Sequence, residues 1–153
     1  LFPELDFVIG SIHQGFSSDA DRMTARVVAA MASGRMDIFG HPTGRLVLQR
    51  APYALHLEEV LAAAREYEVA LEVNANPHRL DLSDVHCRRA VEAGCKLVIN
   101  TDAHGREELG LMRYGVMTAR RGWVEAPQVL NAWPLAELQA WLRRRRAGLG
   151  KRS

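Results

Sequence analysis

Four short apolar runs recur along the chain, each closing on polar residues and each followed by a helix-forming stretch. They cover residues 5–12 (LDFVIGSI), 36–40 (MDIFG), 69–74 (VALEVN) and 96–100 (KLVIN). Runs this short and this rich in β-branched residues, bounded by turn formers, read as buried parallel strands. Strand and helix in strict alternation call for parallel strands joined by right-handed crossovers, either an open doubly wound sheet or part of a barrel. Both architectures gather their chemistry at the carboxyl ends of the strands.

The intervening stretches carry helix signals. Ser18 with Asp21 resembles a capping box, and its helix runs to about Ser33, where Gly34 supplies a stop. Residues 43–52 form a loop long enough to be functional. Leu57, Val60, Leu61 and Ala64 fall at helical spacing in a helix ending near Tyr67. Ser83 can cap a helix through about Ala93, with Cys87, Ala90 and Val91 inward and Gly94 ending it. Beyond the fourth run the pattern predicts a short helix over 106–111, a helix over 116–121 broken by Gly122 and Trp123, and a turn over 127–130. A last helix starts at Pro134, with Leu135, Leu138, Trp141 and Leu142 on one side.

With 153 residues, 48% hydrophobic and 25% charged, the chain suits one globular domain or a large part of one. Twenty Lys and Arg nearly balance eighteen Asp and Glu, which excludes a polycation. Positive charge is nevertheless concentrated at Arg143 to Arg146 and at Lys151 and Arg152. Such a run suits a solvated helix end, where it also complements the helix dipole, or a contact with a phosphate backbone. We assign residues 1–146 to the domain and 147–153 to a basic tail. Cys87 and Cys95 form no C-x-x-C pair and read as small core residues of a reducing compartment, the cytoplasm. No apolar run approaches the roughly 20 residues of a membrane span, and no signal peptide is recognisable. The opening Leu1, directly before a strand, reads as a cut through a longer polypeptide.

The polar strand ends are where function is expected. His13 and His41 close the first and second runs, a polar loop from Asn74 to Arg79 follows the third, and Asp102 and His104 follow the fourth. A core histidine has no reason to prefer one end of a sheet. On extended backbone Asp102 and His104, two positions apart, point the same way and set two ligands side by side. The plainer alternative is that Asp102 caps the next helix and His104 is an ordinary surface histidine. His56 and His86 fall at helix starts, and His78 lies in a loop within reach of a substrate. Histidine and carboxylate without cysteine suit Zn²⁺, Mn²⁺ or Fe²⁺, and mixed nitrogen and oxygen sites suit phosphoester hydrolysis. No phosphate-binding glycine loop and no G-x-S-x-G elbow is present, which argues against nucleotide-dependent transfer and serine acyl chemistry. Arg45 and Arg79 each follow a strand end, where a guanidinium can hold phosphate with two parallel bonds; surface ion pairs are the alternative. Asn76, in the loop with Arg79, joins them as a candidate phosphate contact.

Four motifs, IGSIH at 9–13, GHPTGR at 40–45, EVNANPHRLDL at 72–82 and NTDAH at 100–104, resemble the PHP (polymerase and histidinol phosphatase) family. The similarity is strongest to the C-terminal PHP domain of bacterial family X DNA polymerases, a subgroup that MRYG at 112–115 and ARRGW at 119–123 also fit. The resemblance implies a distorted, TIM-like (β/α)7 barrel, of which this chain holds about the last four βα units and the C-terminal helices. It implies a multinuclear centre of divalent metal, Mn²⁺, Zn²⁺ or Fe²⁺, with His13, His41, Asp102 and His104 as ligands and Asp102 and His104 as the catalytic pair. It further implies 3′-5′ exonuclease and related 3′-end or abasic-site phosphoesterase activity on DNA, a polymerase domain upstream, and no membrane partner. The family's first motifs would lie before Leu1, so the piece is expected to expose apolar strand edges and to bind metal weakly alone. A free-standing phosphatase of a small phosphomonoester such as histidinol phosphate, and a non-catalytic scaffold, remain the alternatives.

Overall fold

The computed structural model describes residues 5–149. Four strands, β1 (Ile9–Ser11), β2 (Ile38–Gly40), β3 (Ala70–Asn74) and β4 (Leu97–Asn100), alternate with helices α1 (Ala20–Ala32), α2 (Leu57–Glu66) and α3 (Asp84–Glu92). After β4 come a 3-10 turn over Arg106–Leu111, helix α4 (Met112–Arg121), two further 3-10 turns and helix α5 (Leu135–Leu149). All strand pairs are parallel and the sheet order is β1-β2-β3-β4. An order that never reverses has no switch point, so right-handed crossovers put α1, α2 and α3 on one face. The fold is α/β and compatible with an arc of a TIM-like barrel.

Alternation along the strands divides the sheet into two chemically different faces. Phe39, Leu71, Val73, Leu97 and Ile99 belong to the main core, with Met23, Val27 and Met31 of α1 and Val60 and Leu61 of α2. The opposite face is apolar only at its lower end, where Ile38, Ala70 and Val98 meet Leu130 and Trp141. Further up the same strands, this face carries Glu72, Asn74 and Asn100.

Several expectations need correction. β1 is three residues long and its Ile9 is 44% exposed, rather than a buried strand over 5–12, because it forms one edge of the sheet. The first helix is capped by Asp19, whose carboxylate accepts from Arg22 N–H at 2.7 Å, not by Ser18. Asp21 instead meets His56 Nε2 at 2.7 Å, joining α1 to the start of α2. α4 begins at Met112 and runs through Gly115, where a Cβ would lie 2.5 Å from Ile99 Cγ2 and 2.7 Å from Ala75 Cβ. The glycine permits close approach of helix to sheet and does not interrupt the helix. Leu135 is exposed, while Leu138, Trp141 and Leu142 pack as expected. The proposed boundary at 147 falls within α5, and Lys151 and Arg152 lie outside the described residues.

The arginine run is also not a uniformly solvated face. Arg145 is buried, pairs with the buried Asp37, and donates to the carbonyls of Met36 and, at 3.0 Å, Glu68. The other oxygen of Asp37 accepts Val8 N–H at 2.8 Å and lies 3.6 Å from Arg146. α5 is thereby fastened beneath β1 and β2 by charge as well as by Trp141. The free edge of β4 is handled differently: Asn131 accepts from Ile99 N–H at 3.1 Å and donates to Ile99 C=O at 2.7 Å, standing in for a strand.

Removing one member of a buried pair leaves an uncompensated charge, so Asp37→Asn should lower stability by about 3–5 kcal/mol in urea unfolding at neutral pH. Arg143→Ala, at an exposed position of the same run, should change it by less than about 0.5 kcal/mol.

Candidate active site

The carboxyl ends of the strands open into a cleft of about 410 Å³, lined by His13, His41, Glu72, Asn100, Asp102 and Met112 among others. His13 follows β1 and is exposed; His41 follows β2 and is buried. Their rings meet edge to face with centroids 5.1 Å apart. The Nδ1 atom of His41 is buried with no hydrogen-bond partner. Burial, and after it the positive charge of Arg79, lowers the His41 pKa to about 4. At neutral pH His41 is therefore an uncharged imidazole, the form that ligates metal.

Glu72 holds this arrangement from below. Buried in β3, it accepts from His41 N–H at 2.6 Å, Asn100 Nδ2 at 2.9 Å and Asn74 Nδ2 at 3.3 Å. Burial pushes its pKa up, against the pull of these donors. Asn74 Nδ2 also donates to Asp102 Oδ2 at 3.1 Å, so a single buried network reaches from His41 to Asp102. Both ends of it occupy the left-handed region, with φ of 31° at His41 and 55° at Asp102, a conformation that costs a non-glycine residue about 1–3 kcal/mol.

The left-handed turn at Asp102 also cancels the same-side geometry expected of Asp102 and His104, which needs extended backbone. His104 is exposed and is not among the residues lining the cleft; its Nδ1 lies 2.8 Å from the Asp102 carbonyl. Because a carbonyl can only accept, Nδ1 is the donor in this contact, and Nε2 is the nitrogen that keeps a lone pair in the neutral ring. Arg79 sits against Asp102, Nε to Oδ2 3.3 Å, with Nη1 buried and unpartnered. Arg45 lies apart from the cleft, donating to the carbonyls of Arg79, at 2.7 Å, and Leu80. Asn76 accepts from His78 N–H at 3.0 Å and shapes the loop without lining the cleft. The structure thus gathers His13, His41 and Asp102 around one cleft, places Arg79 against Asp102, and leaves His104, Arg45 and Asn76 outside. Among the described residues, no three His, Cys, Asp or Glu side chains converge closely enough to hold a metal ion.

Two carboxylates escaped the sequence reading. Glu72 was visible as an acid in the middle of an apolar strand, two residues from Asn74 and therefore on its face. Asp81 is buried and accepts from Thr43 N–H, Thr43 Oγ1 and Gly44 N–H at 2.9–3.0 Å, fixing the loop that follows His41. Burial raises its pKa to about 6.

Comparison with known proteins gives the chain as a whole a set of relatives. Over 141 residues, 92% of this chain, the sequence is 45% identical to the DNA polymerase/3'-5' exonuclease PolX of Bacillus subtilis. The two are homologues. The chain spans only 25% of that protein's length. It is 26% identical over 159 residues to a protein named probable phosphatase from Thermoanaerobacter sp. strain X514, spanning 62% of it. Another so named, from Aliivibrio fischeri strain MJ11, is 34% identical over 114 residues, which make up 44% of its length. No protein-family model matches the chain.

Nuclear magnetic resonance of the histidine rings should show His41 titrating near pH 4, and Arg79→Ala should raise that value by removing the adjacent positive charge. The unfolded chain takes up this proton near 6.5, so His41 withdraws stability as the pH falls from about 6.5 to 4. Asp81 acts in the opposite sense: its contribution is present below 3.8 and is lost as the pH rises through about 6.

Proposed function

We propose that this chain is the C-terminal portion of a PHP domain and that, in its parent protein, it acts as a metal-dependent phosphoesterase, a 3′-5′ exonuclease of a family X DNA polymerase. The observation that carries the proposal is the pair of imidazoles in a cleft with Asp102, one of them buried, uncharged and with a free nitrogen. In this reading the four strands are an arc of the PHP barrel. The 45% identity to a protein named as both polymerase and exonuclease supports DNA as substrate and a polymerase domain in the parent.

By donor chemistry His13, His41 and Asp102 suit a borderline divalent metal such as Zn²⁺, Mn²⁺ or Fe²⁺, and a neutral His104 would add Nε2. Among the described residues they do not converge on one point, so further donors from the parent protein would complete the centre. A metal held there supplies Lewis acidity and an activated water for in-line attack on phosphorus. The protein's own residues do the rest. Glu72 and Asn74 hold His41 and Asp102 in their left-handed conformations, which fixes these two donors relative to one another. Arg79 pairs with Asp102 and keeps a positive charge beside the cleft, where it favours a phosphate. Arg45 and Asn76 act through the loop that carries Arg79, as positioning residues. A second reading, a phosphatase of small phosphomonoesters, is favoured by the relatives named probable phosphatase, of which the chain spans up to 62% of the length.

The test is Mn²⁺ binding by calorimetry, with hydrolysis of a 3′-labelled oligonucleotide and of a small phosphomonoester, on this chain and on its full-length parent. Asp102→Asn should abolish metal-dependent hydrolysis in the parent, and Glu72→Gln should weaken metal binding by roughly 10- to 100-fold. Hydrolysis that survives Asp102→Asn would overturn the assignment; cleavage of the phosphomonoester alone would select the second reading.

A further inference from the structure

A second groove of about 330 Å³ lies between α3 and α4, with Leu80 and Arg45 in its lining. Helix α4 connects the two: Met112 in its first turn lines the cleft, while Tyr114, Met117 and Arg121 line the groove. Arg45 forms the groove's other wall. Its guanidinium donates to two neutral carbonyls and makes no direct ion pair among the described residues, although the buried Asp81 carboxylate is near enough to feel its charge.

Two aromatic rings mark the ends of α4, and each is paired with a guanidinium. Arg113 lies 4.7 Å from the Tyr114 ring centroid and donates to the Tyr114 hydroxyl at 2.9 Å. Arg88 lies 5.9 Å from the Trp123 ring centroid. Trp123 is 74% exposed and sits at φ 59°, and nothing in the packing of the core demands a tryptophan there. It is nonetheless held in place. At the preceding Gly122 a Cβ would lie 2.6 Å from the Asp84 carbonyl and 2.7 Å from Cys87 Cβ, so the end of α4 rests directly on α3. Arg121 pairs with Asp84 at 2.9 Å across the same junction. Among the described residues, no carboxylate pairs with Arg45, Arg113 or Arg120, and Asp84 is the only acid lining the groove.

Trp123 is exposed and Tyr114 half-buried; aromatic rings flanked by arginines are how proteins hold single-stranded nucleic acid without reading its sequence. We propose that the α4 groove, together with the exposed surface beside it that carries Trp123, Arg113 and Arg120, holds a segment of single-stranded nucleic acid whose terminal phosphodiester lies in the neighbouring cleft, with Tyr114 in the groove and Trp123 outside it as stacking surfaces and Arg45, Arg113 and Arg120 supplying positive charge to the backbone. This rests on the phosphoesterase reading of the cleft and adds the surface outside it along which the strand lies. Nine residues separate the two rings, about 13 Å along a helix, so they serve different nucleotides. A small phosphomonoester in the cleft would touch neither.

The test is binding of a labelled oligothymidylate, followed by anisotropy without metal, to the full chain and its variants. Trp123→Asn removes the ring while suiting the left-handed backbone, and should weaken binding by roughly 5- to 100-fold; Trp123→Tyr should restore most of it. The double variant Arg113→Ala, Arg120→Ala should reduce the salt slope of binding by about one to two. Thermal unfolding of each variant, expected unchanged, separates loss of contact from loss of fold. Wild-type affinity in Trp123→Asn together with an unchanged salt slope would overturn the groove assignment while leaving a nuclease reading intact. Failure of the wild-type chain and its full-length parent to bind the oligonucleotide would overturn both. Self-association abolished by Trp123→Asn, with no oligonucleotide bound, would assign the surface to a protein contact and equally overturn the proposal.

Discussion

The carboxylate of Glu72 is the point from which the candidate site is built. A buried acid in the middle of a strand is costly, and burial indeed pushes its pKa up. Three donors offset that cost, and they come from three places: the backbone after β2, the side chain two residues along β3, and the side chain at the end of β4. One group therefore sets the relative positions of three neighbouring strand ends. Through Asn74 its reach extends to Asp102, and through the His41 N–H it holds an unfavourable backbone conformation in place. Such a network is worth keeping only if its members stay fully satisfied, because a lost donor leaves a buried charge behind.

The same face of the sheet is closed at its other end by entirely different means. Trp141 and Leu130 cover Ile38, Ala70 and Val98, and Arg145 reaches past them to Asp37. The polar upper half and the apolar lower half of one face thus divide the work between chemistry and stability, which is how parallel α/β folds generally separate the two. The open side of β1 stands in contrast. Leu5, Phe7 and Ile9 remain close to half exposed there, whereas the corresponding side of β4 is occupied by the Asn131 side chain.

Much of this was legible in the sequence. The four strands, the stops at Gly34 and Gly94 and the cap at Ser83 follow from local rules, and local rules act over a few residues. What escaped depends on distant partners. Nothing in the run of four arginines distinguishes Arg145 from its neighbours until Asp37 is placed beside it. Ser18 and Asp19 are both competent caps, and only the path of the chain selects between them. Asp102 and His104 were expected on one side because extended backbone alternates; a single left-handed residue was enough to turn His104 out of the cleft. Glu72 was readable in principle, since Asn74 shares its strand face, but its function required knowing that β2 and β4 flank it.

The Asp37–Arg145 contact has a consequence for the order in which the chain can fold. Its partners are separated by 108 residues, whereas the strand pairings connect neighbouring βα units. Closure of so long a loop follows the shorter ones that bring its ends near, so this contact is made late, when most of the sheet already exists. During synthesis, Asp37 emerges long before its arginine and must remain hydrated until α5 arrives. A polypeptide that stops short of Arg145 never acquires the counter-charge that makes burial of Asp37 tolerable.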